Sequence, residues 1–534
     1  MRSSLSREGG IQLRKFKALY INEMIKISRK LVVIIVMGVM VLGLFGYGGI
    51  IKLTELAQKR YDQVDMSGSE QDWRKDEMRN MLDNFKSEKA NLQDEMDKAD
   101  EEMKKQYESQ IKSLDVQIEI YEYAVEKDIY LYSGGYTAVS LRNMMDLKFS
   151  LINYEGIPVE EMNDIQRAEK KRTEDEISKY EEIIEKSDYR MYIDFQNEII
   201  DSDTSMTEEE KQIMRESNDL RVKIDPTGEI SASSDYDPLS SYITGIENIK
   251  KSLLHNIDYT GYGSIKPLTP SGRQELENSL AVQIYKLEKG DFERSNNYMQ
   301  VELSDVAMTG MLGFGTFMMI CMVLILAGGA ISQEISTGSI KSLIISPVKR
   351  YKIFFAKLTS IITAGVATAV VLYIVSILVH GILFGFGNGS DYIYAINGKA
   401  HELSFYVYRL AYIGLEFVDV LVYLVFAYML SIITRNTAVS VGVSIAIYFG
   451  GNLVNLFLSA TEIFSGEWLK FIPFNNMSLA DRIFKVQMNN IGISGLFGLN
   501  LNAPSSMFSV VYLVVMLICF GYIALDSFNR RDIK

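Results

Sequence analysis

LVVIIVMGVMVLGLFGYGGII, residues Leu31 to Ile51, contains no charged side chain. A helix needs about 20 apolar residues to cross the hydrocarbon core of a bilayer, so this stretch is long enough to span one. A cleavable signal peptide would have a shorter apolar region, a small-residue cleavage site after it and fewer residues before it. The stretch therefore predicts a membrane-spanning helix that stays in the protein.

Further apolar runs predict five more spans downstream. They cover about Val306–Ser332, Thr359–Phe384, Tyr412–Ile433, Ala438–Leu458 and Met507–Leu525. A seventh candidate, in residues 459–506, is amphipathic but too short and too interrupted to span the membrane. The sequence thus predicts an all-α polytopic membrane protein with six transmembrane helices.

Basic residues concentrate in four segments beside these spans. They lie in residues 1–30, in the loop 333–358, at Arg435 and in the tail 526–534. Cytoplasmic segments of membrane proteins carry an excess of Lys and Arg. With six spans all four segments fall on one side, so we expect both termini in the cytoplasm and the protein in the cell membrane.

Residues 52–305 form an acidic block inside this apolar frame. They carry 33 Lys and Arg against 56 Asp and Glu, whereas the rest of the chain carries 22 and 12. This segregation of charge predicts a soluble domain inserted between spans one and two, on the extracytoplasmic side. The two cysteines, Cys321 and Cys519, lie in apolar runs, so the block has no disulfide framework.

The block has helical periodicity. Apolar residues from Met78 to Val125 recur at steps of three and four, with an eleven-residue irregularity, which is typical of a coiled-coil seam. We expect this helix to pair antiparallel with a second helical stretch after Pro158, forming an elongated arm. The alternative is a compact helical bundle with no projection. Helix-start signals at Thr207 and at Thr269-Pro270 predict further helices in a smaller base.

The residues before the first span have a pattern of their own. From Leu13 to Lys30, apolar side chains alternate with basic ones at helical intervals, which suits an amphipathic helix lying in the inner interface of the bilayer. An ordinary basic tail is the alternative.

Catalytic motifs are missing from the sequence. It has no H-E-x-x-H, no G-x-S-x-G, no EF-hand spacing and no nucleotide-binding G-x-x-x-x-G-K-[ST]. The nearest approach to the last, residues 397–400, lacks the upstream glycine and the hydroxyl residue. We therefore expect no enzyme, no metal site and no nucleic-acid partner, and the chain cannot hydrolyse ATP by itself.

QEISTGSIKSLIISPVKRYKIFFAK, residues 333–357, follows the second predicted span. It resembles the signature of ABC type-2 exporter permeases. In that family an acidic residue and a Gly-Thr pair follow span two, and a Pro-Val-x-Arg element and a lysine precede span three. The matching residues are Glu334, Gly338, Ser339 in place of threonine, Leu343, Pro347, Val348, Arg350 and Lys357. The resemblance covers the membrane frame and does not extend to residues 52–305.

The resemblance implies a coupling helix in this stretch, docked in a groove of a separate ATPase subunit. It also implies two copies of that ATPase, which would bind ATP and Mg²⁺, and a second permease, identical or related. Residues 459–506 would form a re-entrant or interfacial segment outside the cell, as in members of that family. Pro347 would end the helix because its ring cannot continue the hydrogen-bond ladder. A plain positive-inside loop is the alternative.

Three charged residues lie in or near the fourth predicted span. Glu416 and Asp419 are three apart and share a helix face, and Arg409 precedes them. Charges within a bilayer usually face a cavity or pair with one another. They predict either a polar patch at the outer mouth of a substrate path or an interfacial cluster in which Arg409 or water binds the carboxylates.

These observations favour an exporter permease that moves an amphipathic, lipid-like or peptide substrate outward. Two alternatives remain open. ATP hydrolysis could move the extracytoplasmic arm to regulate an envelope protein or peptide or to remove a toxin, with nothing crossing the membrane. The chain could also be a receptor or secretion scaffold that needs no ATPase.

Overall fold

The computed structural model describes residues 2–63, 69–154, 157–158, 160–229, 238–258, 266–290, 303–339, 348–387, 389–460, 467–484 and 504–530. The chain divides into two compact units. The first comprises residues 1–57, 301–392 and 403–534, and the second comprises residues 58–300 and 393–402. The second unit is thus centred on the acidic block but also takes in a short segment from far along the chain.

Helices dominate both units. In chain order they are α1 (Arg2–Ser28), α2 (Leu31–Gln63), α3 (Ser69–Met96), α4 (Glu101–Glu126), α5 (Tyr136–Leu151), α6 (Asp164–Lys186), α7 (Tyr189–Ser202), α8 (Glu208–Ile224), α9 (Pro238–His255), α10 (Pro270–Glu288), α11 (Leu303–Gly329), α12 (Ser332–Ser336), α13 (Arg350–Phe384), α14 (Phe405–Thr434), α15 (Thr437–Ala460), α16 (Leu479–Phe484) and α17 (Ser506–Arg530). The helix starts predicted at Thr207 and Thr269 are confirmed, since each side chain accepts a hydrogen bond from the first turn of its helix.

Within the described residues, five helical segments are long and apolar enough to cross a membrane. They are Leu31–Ala57, Leu303–Ser336, Arg350–Phe384, Phe405–Thr434 and Ser506–Arg530. The predicted fifth span, Ala438–Leu458, falls on α15 (Thr437–Ala460), of which Thr437–Gly451 is an apolar helical stretch within the described residues. The count of six spans stays a prediction.

Helix α11 lies at the centre of the first unit, packed against α13, α14 and α15. Small residues allow these close approaches. A Cβ added at Gly315 would meet the side chain of Leu372 at 2.0 Å, and one at Gly328 would meet Val441 at 2.7 Å. Because lipid is as apolar as leucine, such close packing is a main source of helix association in a membrane.

In the second unit α3 and α4 pair antiparallel with each other. Ion pairs join Lys86 to Glu122 at 2.6 Å and Lys75 to Asp128 at 2.8 Å. The predicted pairing of the first helix with the stretch after Pro158 is therefore wrong. The apolar seam from Met78 to Val125 is interrupted where the side chain of Asp100 caps the start of α4, and the chain reverses there.

The start of α3 and the end of α4 share a core with α5, α6 and α7. Its buried residues include Met78, Leu82, Ile120, Leu141, Met144, Tyr180, Ile183 and Phe195. No residue from 83 to 110 is fully buried. The coiled-coil arm therefore stays a prediction for residues 83–110.

Two small antiparallel hairpins complete the described structure. Strands β1 (Ile257–Asp258) and β2 (Lys266–Pro267) pair in one, and β3 (Tyr392–Ile396) and β4 (Lys399–Leu403) pair in the other. Asn397 and Gly398 link β3 to β4 with φ of 51° and 72°. Positive φ at both central residues is the mark of a type I′ turn, which Asn-Gly favours.

Candidate functional site

A cluster of ion pairs joins the two described sides of the connection between α12 and α13. The Nζ of Lys357 lies 2.8 Å from Glu23 Oε2 and 2.7 Å from Glu334 Oε1. Lys26 binds the same two carboxylates, at 2.9 Å and 3.3 Å. Glu334 precedes the connection and Lys357 follows it, so the cluster fixes both sides to helix α1. We call these four residues the lysine–glutamate cluster.

The lysine–glutamate cluster is buried. The side chain of Lys357 is 3% exposed, and those of Glu23 and Glu334 are 11% and 15% exposed. Burial disfavours the ionised form of Glu23, but Lys357 and Lys26 outweigh it and hold the pKa of that carboxyl below its ordinary value. The pKa of Lys26 is raised, because its two glutamates outweigh burial. Both shifts favour the ionised forms of Glu23 and Lys26.

For Lys30, between α1 and α2, burial and neighbouring positive charge outweigh the attraction of the glutamates. Burial, followed by the positive charge of Lys357, lowers the pKa of its amine. The structure therefore places three lysines near two glutamates at this end of the first unit. The ammonium group of Lys30 is therefore less stabilised at this position than that of Lys26.

The other residues of the predicted coupling stretch lie along the same connection. Gly338 has φ of 72°, a left-handed conformation that favours glycine, directly after α12. The Ser339 hydroxyl lies 3.0 Å from that of Thr337. Leu343 and Pro347 lie outside the described residues. Arg350 begins α13.

The C-terminal end of α17 packs against this region as well. Arg350 donates a hydrogen bond to the carbonyl of Asn529 at 3.3 Å, and the ring of Phe528 lies 6.1 Å from that of Phe354. Tyr428 of α14 is fully buried and donates to the Phe354 carbonyl at 3.0 Å. The start of α13 is therefore held by α14 and α17 in addition to α1.

A serine joint supports the break between α11 and α12. The hydroxyl of Ser431 accepts hydrogen bonds from the backbone N–H groups of Ile331 and Ser332, at 3.2 Å and 3.0 Å. The hydroxyls of Ser332 and Ser440 donate to the Gly328 carbonyl. A helix break in an apolar setting needs such partners for its freed backbone groups. Sequence motifs do not predict these serine contacts, because serines in an apolar run carry no distinctive spacing.

Arg409 lies at the opposite end of the membrane helices. It is 4% exposed, donates to Asp305 and Thr309 at 3.3 Å each, and lies over the rings of Phe405 and Tyr408. Water stays the predicted alternative for Glu416 and Asp419, since among the described residues Arg409 binds Asp305 and neither of these two carboxylates. The reason is spacing: α11 brings Asp305 within reach, whereas seven residues along α14 separate Arg409 from Glu416.

Asp419 has a backbone partner instead. Its carboxylate accepts a hydrogen bond from the N–H of Ser478 at 2.7 Å, at the start of α16. Asp481 of the same short helix accepts from Tyr412 at 2.8 Å. Among the described residues Glu416 is half-buried and has no hydrogen bond. These contacts attach the segment 467–484 to α14, in the region predicted to be re-entrant or interfacial.

A metal centre has no support in the described part of the chain, where no group of three or more His, Cys, Asp or Glu side chains is placed to hold an ion. The lysine–glutamate cluster is held by mutual ion pairs. Its chemistry is that of a structural lock between helices.

Comparisons with known proteins find a family and relatives that match part of the chain. Residues 286–534 match the family described as "Protein of unknown function (DUF2705)". The chain is 28% identical over 213 residues to the uncharacterized protein YhcI of Bacillus subtilis strain 168, covering 39% of this chain and 63% of YhcI. It is 26% identical over 213 residues to the uncharacterized membrane protein YdbK of the same organism, covering 40% and 77%.

The match spans less than two thirds of YhcI. The similarity to YdbK agrees with the five apolar helices. The chain is a multi-pass α-helical membrane protein.

Proposed function

We propose that this chain is the permease subunit of an ATP-driven ABC type-2 exporter of the cell membrane. The observation that carries the proposal is the lysine–glutamate cluster. Two residues of the signature, Glu334 and Lys357, meet in one buried cluster although 22 residues separate them in the sequence. A loop that only fixed topology would not need its two sides locked to each other and to α1.

The lock gives the connection a mechanical role. A separate ATPase, present in two copies and binding ATP and Mg²⁺, would press on residues 338–350 from the cytoplasm. Because Glu334, Lys357 and Glu23 are bound together, the force would move α1, α12 and α13 as one body. A second permease, identical or related, would face the first across the path of an amphipathic, lipid-like or peptide substrate. Both termini would be cytoplasmic and residues 52–305 extracytoplasmic.

Co-purification tests the proposal. The full chain is expressed with the ATPase encoded by a neighbouring reading frame, and binding is measured with wild type, Leu343→Ala and Arg350→Glu. We expect a stoichiometric complex that either substitution weakens by more than about tenfold, since each removes an apolar or charged contact at the interface. Arg435→Glu reverses a basic charge outside the connection and serves as the matched control. Absence of an ATPase complex would contradict the proposal and favour a scaffold.

A second candidate function is mechanotransmission, in which ATP hydrolysis moves the second unit and nothing crosses the membrane. The observation that favours it is the segment 393–402, which belongs to the second unit although it links α13 to α14. Deleting Asp72–Ser187 separates the two functions. ATP-dependent export that survives the deletion contradicts mechanotransmission, and export that is never found in the intact complex contradicts the exporter.

A further inference from the structure

The hairpin formed by β3 and β4 lies along helix α10 of the second unit. At its turn, Gln274 donates to the side chain of Asn397 at 3.0 Å, and the N–H of Gly398 donates to Asn278 at 2.9 Å. Near the end of β4, Glu402 takes part in two further contacts. Four hydrogen bonds therefore distribute the contact from the turn at Asn397-Gly398 to Glu402 near the end of β4.

The two contacts of Glu402 converge on one oxygen. Tyr285 donates to Glu402 Oε2 at 3.0 Å, and Lys289 lies 2.6 Å from the same atom. Hydrogen bonds from Lys289 and Tyr285 lower the pKa of Glu402. The carboxylate is therefore ionised at neutral pH and pairs with the lysine as an ion.

The partners on the helix form one stripe. Gln274, Asn278, Tyr285 and Lys289 are separated by four, seven and four residues, which places them on one face of a helix. They cover about 22 Å along the axis, and Asn397 to Glu402 covers about 17 Å along the strand. The matching lengths explain how the hairpin lies parallel to the helix axis instead of touching it at a single point.

The chain on either side of this hairpin belongs to the first unit. The end residues of the hairpin, Tyr392 and Leu403, are themselves assigned to the first unit; α13 ends before them at Phe384 and α14 begins after them at Phe405. The type I′ turn at Asn397-Gly398 joins the two strands as a hairpin, so two paired strands connect α13 and α14 to the segment that contacts α10.

We propose that this hairpin is a mechanical link through which α13 and α14 restrain and move α10 of the second unit, with Glu402 as its pinning residue. The link is additional to the chain connections near residues 57 and 301. It is a property of this chain alone and does not depend on an ATPase, so it stands or falls independently of the exporter proposal.

The test uses the full chain in lipid nanodiscs, with Cys321→Ser and Cys519→Ser and an eosin probe on Glu185→Cys, an exposed position of the second unit. Two quantities are measured: hydrogen exchange of residues 270–288 and 393–402, and the residual anisotropy of the probe. The variants are Lys289→Glu, Glu402→Lys and the double swap. Glu277→Lys is the matched control, since Glu277 pairs with Arg273 on α10 itself.

We expect each single reversal to raise exchange of both segments about fivefold, in line with an exposed ion pair turned repulsive. Residual anisotropy should fall, because the second unit gains independent motion. The double swap should restore both quantities, and Glu277→Lys should change neither.

Two outcomes would overturn the link. Unchanged exchange in both single reversals would show that Glu402 does not pin the hairpin. Raised exchange with unchanged anisotropy would show that the docked hairpin does not restrain the second unit. Exchange of α11 reports whether each variant is folded. If a reversal disturbs α11, Glu402→Gln and Lys289→Gln replace it in the same measurements.

Discussion

The lysine–glutamate cluster and the Glu402–Lys289 pair use the same two residue types in opposite settings. Lys357 is 3% exposed and shared by two carboxylates, whereas Lys289 is 47% exposed and bound to one. A buried ion that loses its partner keeps its full desolvation cost, while an exposed one is rehydrated and screened. Burial therefore makes the first cluster a lock and the second pair an adjustable contact.

The largest effect is expected from breaking the lock. Lys357→Met leaves Glu23 and Glu334 buried with a single, half-exposed lysine between them, and should destabilise the first unit by about 3–5 kcal/mol. Thermal unfolding of the purified protein in detergent measures the loss. Lys98→Met, at an exposed pair with Asp94, is the control and should change stability by less than about 1 kcal/mol.

Neutralising the carboxylates of Glu23 and Glu334, which Lys357→Met leaves without their buried partner, tests the same comparison. The triple variant with Lys357→Met, Glu23→Gln and Glu334→Gln should be more stable than Lys357→Met alone, because neutral amides cost less to bury than unpaired carboxylates. If the single and the triple variant unfold at the same temperature, burial of charge is not what makes the cluster a lock.

Arg409 is an intermediate case, and the expected effect is smaller. Its side chain is 5% exposed, but its partner Asp305 is 23% exposed and can recover some hydration. Arg409→Met should cost about 2–3 kcal/mol by loss of a charged hydrogen-bond partner and of the ring contacts. Thermal unfolding again measures it. Arg530→Met, at a residue 78% exposed, should have little effect, and an equal loss in both variants would contradict the role of burial.

The two regions also differ in how far the sequence predicts them. Hydropathy locates the membrane helices, and ordered spacing singles out Glu334 and Lys357. Their partner Glu23 lies 334 residues from Lys357, and only tertiary packing brings the two together. The hairpin has a local signal, Asn397-Gly398 between two strands, which is missed when residues 397–400 are compared only with a phosphate-binding loop.

The α3–α4 reversal was missed for a related reason. Apolar steps of three and four continue across residues 97–100, so periodicity alone predicts one long helix. The stronger signal is Asp100 before Glu101 and Glu102, since an aspartate cap and acids in the first turn mark a new helix. Local capping chemistry outweighs a heptad pattern there, because the seam can be buried equally well by a hairpin.

The smallest effect is expected from acid at the hairpin. The pKa of Glu402 in the folded protein lies below its ordinary value of 4.5, so the pair contributes stability above that pH and loses it as the pH falls through the folded pKa. Protection of residues 393–402, corrected for the intrinsic exchange rate, should be flat from pH 8 to about 5 and fall severalfold below about 4. Glu402→Gln should remove this fall. A fall that persists in the glutamine variant would mean that another carboxylate controls the hairpin, and the contrast between lock and adjustable contact would then rest on a different pair.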